Sequence, residues 1–256
     1  MTHSKLKMND DKTEFIILTA PRYLDSFSHL SLTIGNSIVE SADKVKNLGV
    51  LFDSCINMKS FINNQCKSAY YHLRNIGAIR KYLTNNTAAM LVHAFVTSRL
   101  DYCNSLLAGL PDMSYAKLQK VQNTAARIVT RTHTYDHITP VLINLHWLPI
   151  PLRVTYKILL LTFKALHDSG PSYLKELLTP YNPIRQLRST SQHRLLPQKT
   201  ALVSYGDRAF SVVAPSLWND LPANLRSITS LETFKSSLET LLFTRFTQNP
   251  HAFIKK

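Results

Sequence analysis

Residues 84–131 read TNNTAAMLVHAFVTSRLDYCNSLLAGLPDMSYAKLQKVQNTAARIVTR, and this stretch decides the fold. Its apolar residues recur at three- and four-residue steps, the pattern of an amphipathic helix. The break Gly109-Leu110-Pro111 divides the stretch into two predicted helices, because glycine favours the end of one helix and proline the start of the next. The predicted buried faces are Ala88, Leu91, Val92, Phe95, Arg99, Tyr102, Cys103 and Leu106 in the first helix, and Met113, Leu118, Val121, Ala125 and Ile128 in the second.

Positive charges follow the outer faces of the predicted helices. A preceding helix, with its apolar face from Met58 to Ile76, carries cations at every seventh residue, and the second helix of the pair carries four with no acid between them. Cations on neighbouring helices can line a groove that holds phosphates whatever the base sequence. We therefore predict nucleic-acid contacts at Lys67, Arg74, Lys81, Lys117, Lys120, Arg127 and Arg131.

The charge balance favours the same kind of partner. The chain has a net charge of +14 and a pI near 9.8. Residues 1–58 hold 6 Lys/Arg and 7 Asp/Glu, whereas residues 59–256 hold 24 Lys/Arg and 9 Asp/Glu. Such a basic body favours nucleic acid or an anionic membrane surface over a merely solvated surface. The ordered stripes favour nucleic acid.

Several functional classes are disfavoured by composition. The apolar run Ile158–Leu161 is far too short to span a bilayer, so no membrane partner is predicted. Three cysteines without a CxxC pair indicate an intracellular, reducing location, nucleus or cytoplasm. The six glycines are isolated, so no glycine-rich loop can cradle a phosphate.

The rest of the chain predicts a mainly α protein with a small N-terminal antiparallel β element. Strands are expected at Thr13–Thr19, in a hairpin around Gly35-Asn36, and at Val45–Phe52. Leu152–His167 is apolar nearly all round, which is typical of a central helix. We expect three segments: 1–55, a helical bundle at 56–131, and a helical region at 132–256. Residues 177–206 contain no acid and are expected to form a basic, partly extended arm with Arg185, Arg188, Arg194 and Lys199.

Candidate catalytic or metal-binding residues are few, and none is retained. Asp10-Asp11 could hold Mg²⁺, but the flanks lack the apolar hairpin that such a site needs, so solvated turn acids are preferred. His133 and His137 have zinc-ligand spacing without a third ligand, which favours loop and cap histidines. Arg99 is expected to pair with a carboxylate or with backbone carbonyls between helices, ahead of a phosphate contact. Trp147 and Trp218 are expected to anchor the core rather than stack on bases.

The segment order resembles the C-terminal part of reverse transcriptases from non-LTR (LINE-type, jockey-like) retrotransposons. The stretches that carry the resemblance are MNDDKTEFIIL, VKNLGVLFD, LVHAFVTSRLDYCNSLLAGLP, LQKVQNTAARIV, DHITPVLINLHWLPI, YKILLLTFKAL and GDRAFSVVAPSLWNDLP. The resemblance implies that 1–55 is the end of the polymerase palm, 56–131 the thumb that grips template–primer duplex, and 132–256 the C-terminal region. It places Lys12 in the lysine block after the catalytic hairpin and Leu48-Gly49-Val50 in the block near the primer end.

The chain departs from that family in one respect that decides its chemistry. The family's catalytic Tyr/Phe-x-Asp-Asp hairpin is absent, so the Mg²⁺ site of the intact enzyme is not expected here and no cofactor is predicted. The expected function is that of a polymerase fragment, inactive alone, which binds RNA or an RNA–DNA duplex nonspecifically. The alternative is a helical protein-interaction module that packs against another protein, or against the rest of a polymerase, without binding nucleic acid.

Overall fold

A computed structural model of the protein describes residues 12–27, 30–35, 37–181, 193–200 and 205–254. The fold is mainly helical with small antiparallel hairpins, as the sequence predicts. The chain forms two compact units, Met1–Asn64 and Gln65–Lys256. Within the described part of the chain, no helix combines the length and apolar character needed to cross a bilayer.

The first unit contains two β-hairpins. Strands β1 (Ser31–Ile34) and β2 (Ser37–Glu40) pair antiparallel with Ile34 opposite Ser37, which confirms the hairpin predicted around Gly35-Asn36. Strands β3 (Lys44–Asn47) and β4 (Val50–Asp53) form the second hairpin. The prediction of one strand over Val45–Phe52 is therefore wrong, because Leu48 and Gly49, with φ of 46° and 83°, turn the chain back on itself.

The strand predicted at Thr13–Thr19 is also wrong. Only Phe15 forms a bridge, parallel to Ser41, and the neighbouring described residues have no ladder. A short apolar run does not by itself specify a strand, since the run must also find a pairing edge.

The Asp53 side chain links the second hairpin to the first long helix, α1 (Lys59–Ile79). Its carboxylate is buried and accepts backbone N–H groups from Asn57 at 2.9 Å and Met58 at 2.8 Å. A carboxylate here also complements the positive end of the helix dipole. Of the apolar face predicted for this helix, Met58, Ile62, Ala69, Leu73 and Ile76 are buried, and Cys66 is half-buried.

Among the described residues, the second unit continues with three long helices and six shorter ones. They are α2 (Asn85–Val92), α3 (Ser98–Asp101), α4 (Asp112–Thr130), α5 (Ile138–Asn144), α6 (Ile150–Leu166), α7 (Ser172–Glu176), α8 (Phe210–Asn219), α9 (Ala223–Arg226) and α10 (Leu231–Gln248). A short pair, β5 (Thr179–Pro180) with β6 (Leu195–Leu196), lies in the segment expected to be an extended arm. Arg185 and Arg188 of that arm lie outside the described residues, and Arg194 and Lys199 are exposed.

The first helix of the predicted pair is shorter than expected. It passes through a π-helical turn at His93–Thr97, ends at Asp101, and gives way to a 3-10 turn at Asn104–Leu107. Cys103 breaks it by adopting left-handed backbone with φ of 52°. The buried positions are consequently Ala88, Val92, Val96 and Leu100, whereas Phe95, Tyr102 and Leu106 of the predicted face are exposed.

The core of the second unit lies around α6. Eight of its residues are buried, among them Ile158, Leu159 and Phe163, which confirms the prediction of a central helix. Phe163 stacks on Phe234 of α10 with ring centroids 4.3 Å apart. Trp147 and Trp218 are both buried, as expected for core anchors.

Candidate nucleic-acid interface

Within the second unit, α4 and the larger, C-terminal part of α1 run side by side and parallel. A Cβ built at Gly77 would lie 4.0 Å from Cδ1 of Ile128. Eleven residues earlier on α1, Cys66 lies near Lys117 of α4. Burial raises the pKa of the Cys66 thiol, and the Lys117 ammonium lowers it to a smaller extent. Both pairs are separated by 51 residues, and a constant separation means that the helices point the same way.

The predicted cations project from the sides of these two helices. Of the seven predicted cations, Arg127 is half-buried. The other six are exposed: Lys67, Arg74, Lys81, Lys117, Lys120 and Arg131. On α4, the helical rotation of about 100° per residue places Lys120, Arg127 and Arg131 within about 40° of each other. Lys117 is rotated about 60° from Lys120 towards α1. Lys81 follows the end of α1 in a 3-10 turn, with its ammonium 4.8 Å from the ring centroid of Tyr82.

The two sets of cations point to the same side of the helix pair. Viewed from the N-termini, Lys67 and Arg74 lie about 80° clockwise of the side of α1 that meets α4. On α4, Lys120 and Arg127 lie about 70–80° anticlockwise of the side that meets α1. Because the two helices are parallel neighbours, the clockwise rotation on α1 and the anticlockwise rotation on α4 direct both sets of cations to the same side of the pair. We call the resulting surface the basic face; it consists of Lys67, Arg74, Lys120, Arg127 and Arg131, with Lys117 between the helices and Lys81 in the turn after α1.

Two arginines of the basic face are also held by the protein backbone. Arg127 donates from Nε to the His133 carbonyl at 3.1 Å and from Nη2 to the Asp136 carbonyl at 2.9 Å. Arg131 donates from Nη2 to the Arg80 carbonyl at 3.1 Å. These guanidinium groups have fixed positions and keep only part of their donors for another molecule. Lys67, Arg74 and Lys120 are the more available cations.

A buried arginine that the sequence reasoning did not single out joins the ends of α1 and α4. Arg80 is 7% exposed, and its guanidinium donates to the carbonyls of Ile128 at 2.7 Å, Val129 at 2.7 Å and Leu83 at 2.6 Å. It therefore satisfies carbonyls that the last turn of a helix leaves without intrahelical partners. Burial, and then the Arg131 charge, lower the pKa of Arg80. Periodicity gave one signal for this role, since Arg80 continues the buried face of α1 one turn beyond Ile76.

Other polar contacts that the sequence did not predict hold α4 and α3 against α6. The buried Gln119 accepts the Ile150 backbone N–H through Oε1 at 2.9 Å, and Gln122 donates to the Leu148 carbonyl at 2.8 Å. Arg153 forms a salt bridge with Asp101, with Nε to Oδ1 at 2.8 Å. The two glutamine contacts hold α4 on a different side from the basic face.

The remaining candidate residues do not assemble into a site. Asp10-Asp11 lies outside the described residues, and Lys12 is exposed. Among the residues that the structure describes, no group of three or more His, Cys, Asp or Glu side chains could hold a metal ion. The placement of Arg99 on a buried face was wrong: it is half-buried, and its Nε donates to the Phe95 carbonyl of the preceding turn at 3.2 Å.

The fold and the basic face define a mainly helical protein with a cationic two-helix surface. In comparisons with known proteins, the chain matches no protein-family model, no curated protein and no solved structure.

Proposed function

We propose that the protein binds nucleic acid, an RNA–DNA duplex or RNA, through the basic face. One argument carries this proposal: exposed cations lie on two parallel helices, and helical rotation directs both sets to one side of the pair. Residues 59–131 contain only two acids, Asp101 and Asp112, and Asp101 is already paired with Arg153. The face therefore presents positive charge to a phosphate backbone with little local competition.

The motif order supports a more specific form of the proposal. The stretches that resemble non-LTR retrotransposon reverse transcriptases place α1 and α4 in the thumb, the element that grips template–primer duplex in that family. The sequence contains no Tyr/Phe-x-Asp-Asp, so we assign the chain duplex binding and not nucleotidyl transfer. Incorporation of nucleotides by the purified chain in Mg²⁺ would contradict this assignment.

A salt titration tests the proposal. Binding of a fluorescent RNA–DNA duplex is measured by anisotropy between about 50 and about 200 mM salt, where each phosphate contact contributes a slope of about −0.9 in log K against log salt. We expect a slope of about −2.7 or steeper, from contacts of Lys67, Arg74 and Lys120 with three phosphates. A slope near zero would contradict phosphate contact by several cations.

Matched variants locate the contacts. Lys67→Gln/Lys120→Gln removes one cation from each helix of the basic face, whereas Lys44→Gln/Lys46→Gln removes two exposed cations from β3 in the other unit. We expect the first pair to reduce the magnitude of the salt slope by about 2, with little change from the second. Equal effects of the two pairs would mean that net charge, and not the basic face, sets the affinity.

Exposed aromatic and apolar side chains favour a second candidate function, a protein-interaction module. Tyr71, Met90 and Phe95 are exposed, and the rings of His72 and Phe95 stack with centroids 5.3 Å apart. Aromatic residues and methionine are enriched in protein interfaces. Two results together would favour this function over duplex binding. The affinity for the duplex would not change with salt, and a Phe95→Ser variant would no longer bind the protein partner that the unchanged chain binds.

A further inference from the structure

A cavity of about 260 Å³ lies in the second unit, and none of the described residues that line it belongs to α1 or α4. Its walls come from the end of α6, the β5–β6 pair, α8, α9 and the segment that leads into α10. The apolar part of the lining includes Leu166, Leu195, Trp218 and Ile228. A single water needs only about 10–15 Å³ of such volume, so the cavity has room for a small organic molecule.

The lining of this cavity is basic. Among the described residues it contains no Asp or Glu, and its ionisable members are Arg194, Arg226, His167 and His193. Residues 177–206, which supply one wall, contain no acid in the sequence. Glu232 at the start of α10 lies outside the described lining, and its carboxylate is paired with Lys235 at 2.8 Å. The cavity therefore favours an anionic ligand.

The two arginines lie within electrostatic reach of each other. Arg226 is 5% exposed and is held in place by its Nη1, which donates to the Asn219 carbonyl at 2.8 Å. Burial lowers the pKa of Arg226, and the Arg194 charge lowers it further. An anion bound between the two guanidinium groups would offset both the lost hydration and the repulsion of like charges.

Three polar side chains of the lining have donors available for such an anion. Within the described part of the chain, the Arg194 guanidinium, the His193 ring and the Thr229 hydroxyl have no hydrogen-bond partner. All three residues are exposed, so a ligand can reach them from solvent. A guanidinium presents its N–H groups as a fork that matches two oxygens of one phosphate.

We propose that this cavity binds a phosphate monoester with a small apolar or aromatic ester group. Arg194 donates to the phosphate oxygens, and Thr229 and His193 supply further hydrogen bonds. The two arginines balance the nearly two negative charges that such a phosphate carries near neutral pH, while the apolar walls contact the ester group. This site is independent of the proposed duplex binding, since none of its described residues belongs to the basic face.

Thermal unfolding of the full chain with phenyl phosphate, at constant ionic strength and neutral pH, tests the site. At about 10 mM ligand, ten times a Kd of about 1 mM, we expect Tm to rise by about 3 °C. Three matched compounds each lack one feature: phenyl sulfate has a single negative charge, phenol has no anion, and inorganic phosphate has no apolar group. Each is expected to raise Tm by less than about 1 °C at the same concentration.

Matched variants tie binding to the cavity. Arg194→Gln is expected to weaken phenyl phosphate binding at least about tenfold in calorimetric titration, as loss of hydrogen bonds to a charged group does. Lys199→Gln removes the same charge from an exposed position outside the described lining and should bind normally. Arg194 is itself exposed, so its replacement should leave the folded state intact.

The proposal is wrong if phenyl phosphate leaves Tm unchanged, or if phenyl sulfate or phenol stabilises the protein equally well. It is also wrong if Arg194→Gln binds phenyl phosphate normally, or if Lys199→Gln loses as much affinity. Binding of an RNA–DNA duplex with hydroxyl ends should remain normal in Arg194→Gln. Failure of this site is therefore distinguishable from failure of the proposed function.

Discussion

Single arginines in this protein serve two different purposes, and residue type alone does not separate them. Arg80 and Arg226 are buried and donate to backbone carbonyls; Arg226 reaches the Asn219 carbonyl at 2.8 Å. Arg74, by contrast, is exposed on α1. The periodicity of the sequence separates the faces of each helix, but the carbonyls that receive a guanidinium belong to distant segments. The site prediction therefore found exposed cations and missed the buried arginine between them.

Replacement of Arg80 by methionine tests its structural role. Arg80→Met leaves buried carbonyls of Ile128 and Val129 without donors, and we expect the free energy of unfolding to fall by about 3 kcal/mol. Urea denaturation followed by tryptophan fluorescence measures this, because both tryptophans lie in the second unit.

Arg74→Met is the matched control on the same helix. Its guanidinium is exposed, so the change in stability should stay within about 0.5 kcal/mol, while duplex affinity falls. If both variants lost stability equally, the buried hydrogen bonds of Arg80 would not account for its effect.

At the scale of elements, apolar spacing in the sequence correctly predicted the long helices. It did not predict the points where the backbone turns at a residue that is not typical of turns. The face of α1 and the central position of α6 followed from apolar spacing. The end of α3 did not, because Cys103 is not a residue that usually adopts left-handed backbone. The β3–β4 hairpin was missed for the same reason, since Leu48 occupies the first turn position.

The turn of this hairpin offers a stabilising substitution. Leu48 is 85% exposed and has φ of 46°, and Leu48→Asn would create the Asn-Gly pair that favours such a turn. We expect local stability to rise by about 1 kcal/mol, and amide exchange in β3 and β4 to slow about fivefold.

A second leucine-to-asparagine variant provides the opposite case. Leu32 lies in β1 and is 47% exposed, where asparagine is unfavourable for an extended strand. Leu32→Asn should therefore speed exchange in β1 and β2. Slower exchange in both variants would mean that the gain comes from lower surface apolarity and not from turn geometry.

On the scale of the whole molecule, the two units differ in how much apolar surface they bury. In β1, three of four residues are exposed, whereas α6 buries eight of seventeen. Local opening costs least where buried apolar contacts are few. The sequence anticipated this contrast only in outline, through a short β element beside long apolar helices, because burial depends on which segments meet.

Hydrogen exchange of the full chain measures the contrast. We expect α6 and α4 to exchange slowest, near the rate set by global unfolding, and the β1–β2 amides to exchange much faster. Added RNA–DNA duplex should protect α1 and α4 while leaving α6 unchanged, because only the first two helices carry the basic face. Uniform protection across both units would contradict separate local stabilities.

The hydrogen bonds of Arg80 also have a consequence for the order in which the chain acquires structure during synthesis. Arg80 precedes its acceptor Ile128 by 48 residues, which corresponds to roughly 2 to 10 s of translation at about 5–20 residues per second. The residues of α1 and Arg80 are thus synthesised before the final turn of α4 leaves the ribosome. The later helix can dock on a neighbour that already supplies the donors for its end.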